Sequence, residues 1–263
     1  MDEICQKSLP DAPWLSPATR RLPGVQPLDM AQWLVVDDAF AAQMAERARL
    51  LNTRRDDVLA YQEEARPAAQ ELYDLVLGQL ASTPGYAFSG THCTRPDGVQ
   101  IALDRNAPLE TLCHLVAEDL CILEKREAEH VLTAALLCFP ASWSLSEKFG
   151  RPLTTIHAPV GSYTDDIARR VQRLFDAVKP GHPLWRANAL SYADPTLYQP
   201  RTMARRRGPE TRGQYLRSER QCILRLPKTD AVVFSIHTRQ VHLDDLTPSQ
   251  RAGLEAHPLS EAL

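Results

Sequence analysis

Three segments in the last third of the chain, Leu184 to Tyr192, Tyr215 to Leu226 and Ala231 to Val241, have strand length and are rich in apolar and aromatic residues. Only Pro227-Lys228-Thr229-Asp230 separates the second from the third, a hairpin-length connection that makes them antiparallel neighbours. Strand alternation then sorts their side chains. In Tyr215 to Cys222, Arg217, Glu219 and Gln221 share one face, and Leu216, Ser218, Arg220 and Cys222 share the other. In Trp185 to Ala189, Arg186 and Asn188 lie together, opposite Trp185, Ala187 and Ala189. On pattern alone this charged row reads as a solvated outer face. Turned inward, its charges would need partners or a bound group, because an unpaired buried charge costs several kcal/mol.

Upstream the period changes. Phe40, Met44, Ala48 and Leu51 recur at helical spacing behind Asp37 and Asp38, carboxylates suited to a helix N-terminus. A second helix is predicted from about Pro67 through Leu72, Leu75, Val76 and Leu80, stopped at Thr83-Pro84-Gly85. A third is predicted from Pro108, burying Leu109, Leu112, Val116, Leu120 and Leu123 and leaving Glu118 and Asp119 as ordinary helix-face carboxylates. Gly98 to Leu103 reads as a short strand, Val131 to Phe139 as a strand buried on both faces, and Ser162 to Val178 as a helix. The first 36 residues carry Pro10, Pro13, Pro17, Pro23 and Pro27 beside Trp14 and Trp33, the composition of an extended strap with apolar anchors. Together these elements predict an α+β fold, helical at the N-terminal side with an antiparallel sheet after it.

No apolar run approaches the roughly 20 residues needed to span a bilayer, and the first residues have no secretory apolar core, so the expected location is cytoplasmic. Thirty basic against 33 acidic residues give a net charge of -3, which offers no broad attraction to nucleic acid or anionic membranes. The six cysteines form no C-x-x-C pair, so neither a disulfide framework nor a zinc or iron-sulfur site is signalled. Dinucleotide, P-loop, zinc-protease and serine-hydrolase fingerprints are absent, so any cofactor is held without a familiar motif. His157 stands in an apolar, proline-stiffened stretch, where its imidazole could ligate a metal or haem iron or be a hydrogen-bonded structural residue. His237, alternating with Arg239, is the next such histidine, and His114 follows. The basic run Arg205-Arg206-Arg207, between Arg201 and Arg212, suits an acidic protein surface, a phosphate or a propionate.

Several rare-residue groups occur in order from about Pro13 to Thr238. They include Pro13-Trp14, Pro27-Leu28-Asp29, Trp33-Leu34, Glu118 to Glu124, Cys138-Phe139-Pro140-Ala141-Ser142-Trp143 and Lys148-Phe149-Gly150-Arg151-Pro152-Leu153. Ile156-His157-Ala158-Pro159-Val160, Trp185-Arg186-Ala187-Asn188, Leu216 to Gln221, Leu226-Pro227 and Phe234-Ser235-Ile236 complete the series. This series resembles the haem-dependent oxidative N-demethylase family. The resemblance implies a PAS-like antiparallel sheet with a haem pocket and an N-terminal helical extension. It divides the chain into an arm and helical extension over 1–128, a haem-binding core over 129–245 and a tail over 246–263. It also implies haem b, a mono-oxygenase-type oxidation of a small amine by O2, and electrons from an external flavin and iron-sulfur reductase. His157 becomes the expected axial ligand of the iron, Arg217 and Glu219 the expected catalytic pair, and Arg186, Asn188, Trp185 and Arg220 the expected cofactor contacts. A non-catalytic haem or gas sensor, or a small-molecule-binding module on the same fold, is the alternative.

Overall fold

The computed structural model describes residues 2–20, 24–157, 165–202 and 213–259. An arm bearing the short helix α1 (Pro17–Arg20) and strand β1 (Gln26–Pro27) leads into α2 (Phe40–Thr53), α3 (Arg55–Val58), β2 (Leu59–Tyr61) and α4 (Arg66–Leu80). A small meander follows, β3 (Ala87–Ser89), β4 (His92–Thr94) and β5 (Gln100–Ala102), and then α5 (Pro108–Leu115). The hairpin β6 (Asp119–Arg126) and β7 (Glu129–Leu136) is followed by α6 (Leu145–Lys148), α7 (Leu153–His157) and α8 (Asp165–Ala177). Three long strands, β8 (Leu184–Tyr192), β9 (Tyr215–Arg225) and β10 (Val232–His242), precede the last helix, α9 (Pro248–Ala256). Proline in the first turn starts α4, α5 and α9, where its missing N–H and fixed φ cost nothing. No helix among the described residues is long and apolar enough to cross a membrane.

One seven-stranded antiparallel sheet, ordered β1-β8-β9-β10-β6-β7-β2, organises the molecule. Leu120, Ile122, Leu136, Leu224 and Val233 project to one face, where they meet Leu50, Leu72, Val76, Leu80 and Leu112 of α2, α4 and α5. Cys121, Leu123, Ala135, Ile223 and Val232 project to the other, under Leu145, Leu153 and Phe175 of α6, α7 and α8. We call these the α4 face and the α8 face. The strands predicted at 184–192, 215–226 and 231–241 are β8, β9 and β10, and the connection is a hairpin. Its tip is held by α4, whose Glu71 carboxylate accepts the Lys228 and Thr229 amides at 2.7 and 2.8 Å.

The arm is the expected strap. Trp14 and Trp33 are buried, and their indoles donate to the Gln250 carbonyl at 2.9 Å and to Ser235 Oγ at 3.1 Å. The segment after 246 is more than a tail: Thr247 and Gln250 form a capping box, and α9 packs against the arm through Leu254 and Trp14.

The third helix is shorter than predicted. It ends at Leu115, with Val116 already extended, and residues 119–126 are a central strand. Arg47 of α2 accounts for the break, since its guanidinium takes the Ala117 and Glu118 carbonyls at 3.3 and 2.8 Å and pairs with Asp119 at 2.6 Å. Asp119 in turn accepts the Cys138 and Phe139 amides, both at 2.8 Å. Carbonyls and carboxylate that a helix would have left outside are therefore satisfied in a strand. Leu120 and Leu123, one stripe on a helix, go to opposite faces of the sheet.

Candidate functional site

The charged row is not a solvated outer face. Arg217 and Glu219 are 1% and 6% exposed, and Arg186, Asn188 and Gln221 are half-buried. Cross-strand register places Asn188 of β8 beside Glu219 of β9, and Arg186 beside Gln221. Asn188 Nδ2, Gln221 Nε2 and Arg217 Nη2 approach the Glu219 carboxylate at 3.3, 3.0 and 3.4 Å. Asn188 Oδ1 also accepts the Glu219 amide at 3.2 Å, so the acid is held on both its main chain and its side chain.

Arg217 is itself anchored. Its guanidinium donates to the Leu197 carbonyl at 2.8 Å and to the Phe139 carbonyl, and lies 5.9 Å from the Tyr192 ring centre. Arg186 is different. Among the described residues no acceptor meets its guanidinium, and its Nε is buried without a partner. Burial pulls its pKa down, opposed by the charge of Glu219.

Lys148, at the end of α6, is a member of this site that the residue pattern did not single out. Its Nζ lies 4.8 Å from the Trp143 ring centre, and burial pulls its pKa down to about 8 against the charges of Cys121, Glu147 and Glu219. Its sequence signal is its place in Lys148-Phe149-Gly150-Arg151-Pro152-Leu153, one of the groups that carry the family resemblance. On the same face, α7 packs through Leu153 and Ile156 and ends at His157, which closes a helix rather than sitting in a loop. Arg205, Arg206, Arg207 and Arg212 lie outside the described residues, while Arg201 is half-buried with an unpartnered Nε.

Trp185 and Arg220, expected beside Arg186 and Asn188, stand on the α4 face. Arg220 lies 5.1 Å from the Trp185 ring centre, donates to the Gln32 carbonyl of the arm, and is 3.9 Å from Asp11. Alternation along β8 and β9 separates these two residues from the other four by the thickness of the sheet.

The α4 face holds a second polar cluster. His237 lies between two carboxylates, with Nε2 3.1 Å from Asp37 Oδ2 and Nδ1 3.2 Å from Glu118 Oε1, and it is 2% exposed. Burial opposes its protonation, but the two acids outweigh burial and raise its pKa. Burial likewise opposes ionisation of Asp37, and His237, Gln6 and Arg239 outweigh it, so that pKa is lowered. Glu118 also accepts the Val35 amide at 2.9 Å, and Arg239 pairs with Asp11 at 2.6 Å. Every partner in the cluster outside the strands, Glu118 excepted, comes from the arm or the approach to α2, which makes this a fastening. His114 is half-buried with its pKa lowered by burial. None of the described cysteines forms a disulfide, and no cluster of three or more His, Cys, Asp or Glu residues suited to a metal ion occurs among the described residues.

The α8 face thus joins a restrained carboxylate, two cations without ion-pair partners among the described residues and a helix ending in histidine. A family model for haem-dependent oxidative N-demethylase, alpha subunit-like proteins matches residues 24–258, a span that includes every one of these residues. The chain belongs to the haem-dependent oxidative N-demethylase, alpha subunit-like family.

Proposed function

We propose that this chain binds haem b on the α8 face of a PAS-like sheet and oxidises a small amine with O2, drawing electrons from a partner flavin and iron-sulfur reductase. The observation that carries this reading is the row of Arg186, Asn188, Glu219 and Gln221 on one face of the sheet, with Glu219 and the adjacent Arg217 buried. An antiparallel sheet covered by helices ordinarily buries apolar side chains there, and charges are retained where a ligand engages them. The residues fit the group. Arg186 and Lys148 would hold propionates, and His157, at the end of α7, would ligate the iron.

Haem supplies, when bound, an iron centre at which oxygen is reduced and the amine oxidised. The chain's own residues do the rest. Glu219, fixed by Asn188 and Gln221, orients a cationic amine through its N–H groups. Arg217 is a positioning residue, since its donors are committed to main-chain carbonyls and to Glu219. Burial of Arg217 and Glu219 strengthens the interaction between them. Trp185 and Arg220 fasten the arm from behind.

Visible spectroscopy of the purified protein tests the reading. A Soret band is expected, with amine-dependent O2 consumption when a reductant is supplied. His157→Ala is expected to abolish stoichiometric haem while the far-ultraviolet circular dichroism stays unchanged. An unaltered Soret band in that variant would remove His157 as the ligand. Haem without amine turnover would turn the reading into that of a sensor.

A further inference from the structure

The charges of the α8 face do not balance. Arg217 and Glu219 neutralise one another, and Arg217 has two main-chain carbonyls besides. Arg186 and Lys148 remain. Neither makes an ion pair among the described residues; the first has a buried, unpartnered Nε, and the second has only the face of Trp143. Both lie near enough to feel the charge of Glu219, so they belong to one site rather than to two separate surfaces. Both residues are half-buried, and two cations held beside a satisfied carboxylate with no acceptor of their own among the described residues suit an anion the chain does not itself contain. The planar guanidinium suits a carboxylate in two-point contact, and the ammonium adds a point charge.

We infer that Arg186 and Lys148 form a carboxylate-binding subsite whose acceptor belongs to the ligand. This inference deepens the proposed function and rests on its site. The carboxylate has two sources under that reading: a haem propionate, or the acid group of an N-methylated amino acid whose ammonium would meet Glu219.

The test uses the full chain with Arg186→Gln and Lys148→Met. Without ligand, both variants are expected to melt no lower than the parent, because each loses a half-buried cation that has no acceptor among the described residues. A merely structural role would lower the melting temperature instead. Ligand-free protein is then titrated with haem and with haem dimethyl ester. If propionates are the source, the parent binds haem roughly ten- to a hundredfold more tightly than the ester, and Arg186→Gln erases the difference. Thermal shifts with N-methylglycine and with dimethylamine form the second arm. If the substrate is the source, N-methylglycine stabilises the parent but not Arg186→Gln, and dimethylamine treats the two alike.

Lower melting temperatures with neither ligand preference altered would overturn the subsite. Failure of the parent to take up haem, with the N-methylglycine response intact, would reject the haem reading and leave the subsite standing.

Discussion

Glu219 shows how much of a site is decided by the groups that hold it. Its carboxylate meets three side-chain donors, and its own amide returns a bond to Asn188, so its place is fixed before any ligand arrives. Glu219→Gln keeps the shape and removes the charge, leaving Arg217 and Arg186 with no anion on that face. A destabilisation of about 1 to 3 kcal/mol is expected, together with loss of amine-dependent O2 uptake. Thermal unfolding and oxygen-electrode rates equal to the parent's would deny the carboxylate both roles. The alternation that grouped Arg217, Glu219, Gln221, Arg186 and Asn188 was readable in the sequence, because strand period is a local property. That Arg217 and Glu219 are buried was not, since the Phe139 carbonyl that meets Arg217 comes from a segment remote in sequence.

At the scale of elements, the fastening between His237, Asp37 and Glu118 gives the arm a pH dependence. The raised His237 pKa adds stability that is complete below the unfolded value of about 6.5 and fades as pH rises through the higher folded value. The lowered Asp37 pKa adds stability that is complete above about 3.9 and fades as pH falls through the depressed value. The arm is therefore held most firmly between roughly pH 4 and 6.5. His237→Gln should lower the melting temperature most in that window, and the gap from the parent should narrow as the solution becomes alkaline. A gap that is constant from pH 5 to 9 would show the imidazole acting as a neutral packing group. The same cluster explains the misread third helix. Leu112, Val116, Leu120 and Leu123 have helical spacing, but Arg47 and His237 reach Ala117, Glu118 and Asp119 from far along the chain. Those contacts outweigh local propensity, and no local window contains them.

The whole molecule is closed by its two ends. Trp14 lies between the arm and α9, with its indole on the Gln250 carbonyl, and a side chain at Gly253 would press on Leu15 and Trp14 at 2.5 and 3.2 Å. Trp14→Ala is expected to cost about 3 to 5 kcal/mol and to open α9 to proteolysis before the sheet, read by limited digestion and mass analysis. Simultaneous loss of α9 and the sheet would show one cooperative unit instead. The α+β class, the strap, α2, α4, α8 and β8 to β10 were legible because each rests on periodicity or proline punctuation within its own segment. The seven-strand order was not, because it depends on β10 reaching back to β6. That reach has a kinetic consequence. β9 to β10 and β6 to β7 close over short turns, whereas β8 reaches β9 across residues 193–214 and joining β10 to β6 must enclose every residue from Leu123 to Val232. Loop-closure entropy places that seam, like the joins of β1 to β8 and β2 to β7, after the two hairpins in folding. Both hairpins should then be protected from hydrogen exchange early in refolding, while the amides shared by Val233, Ser235, Leu120 and Ile122 become protected later.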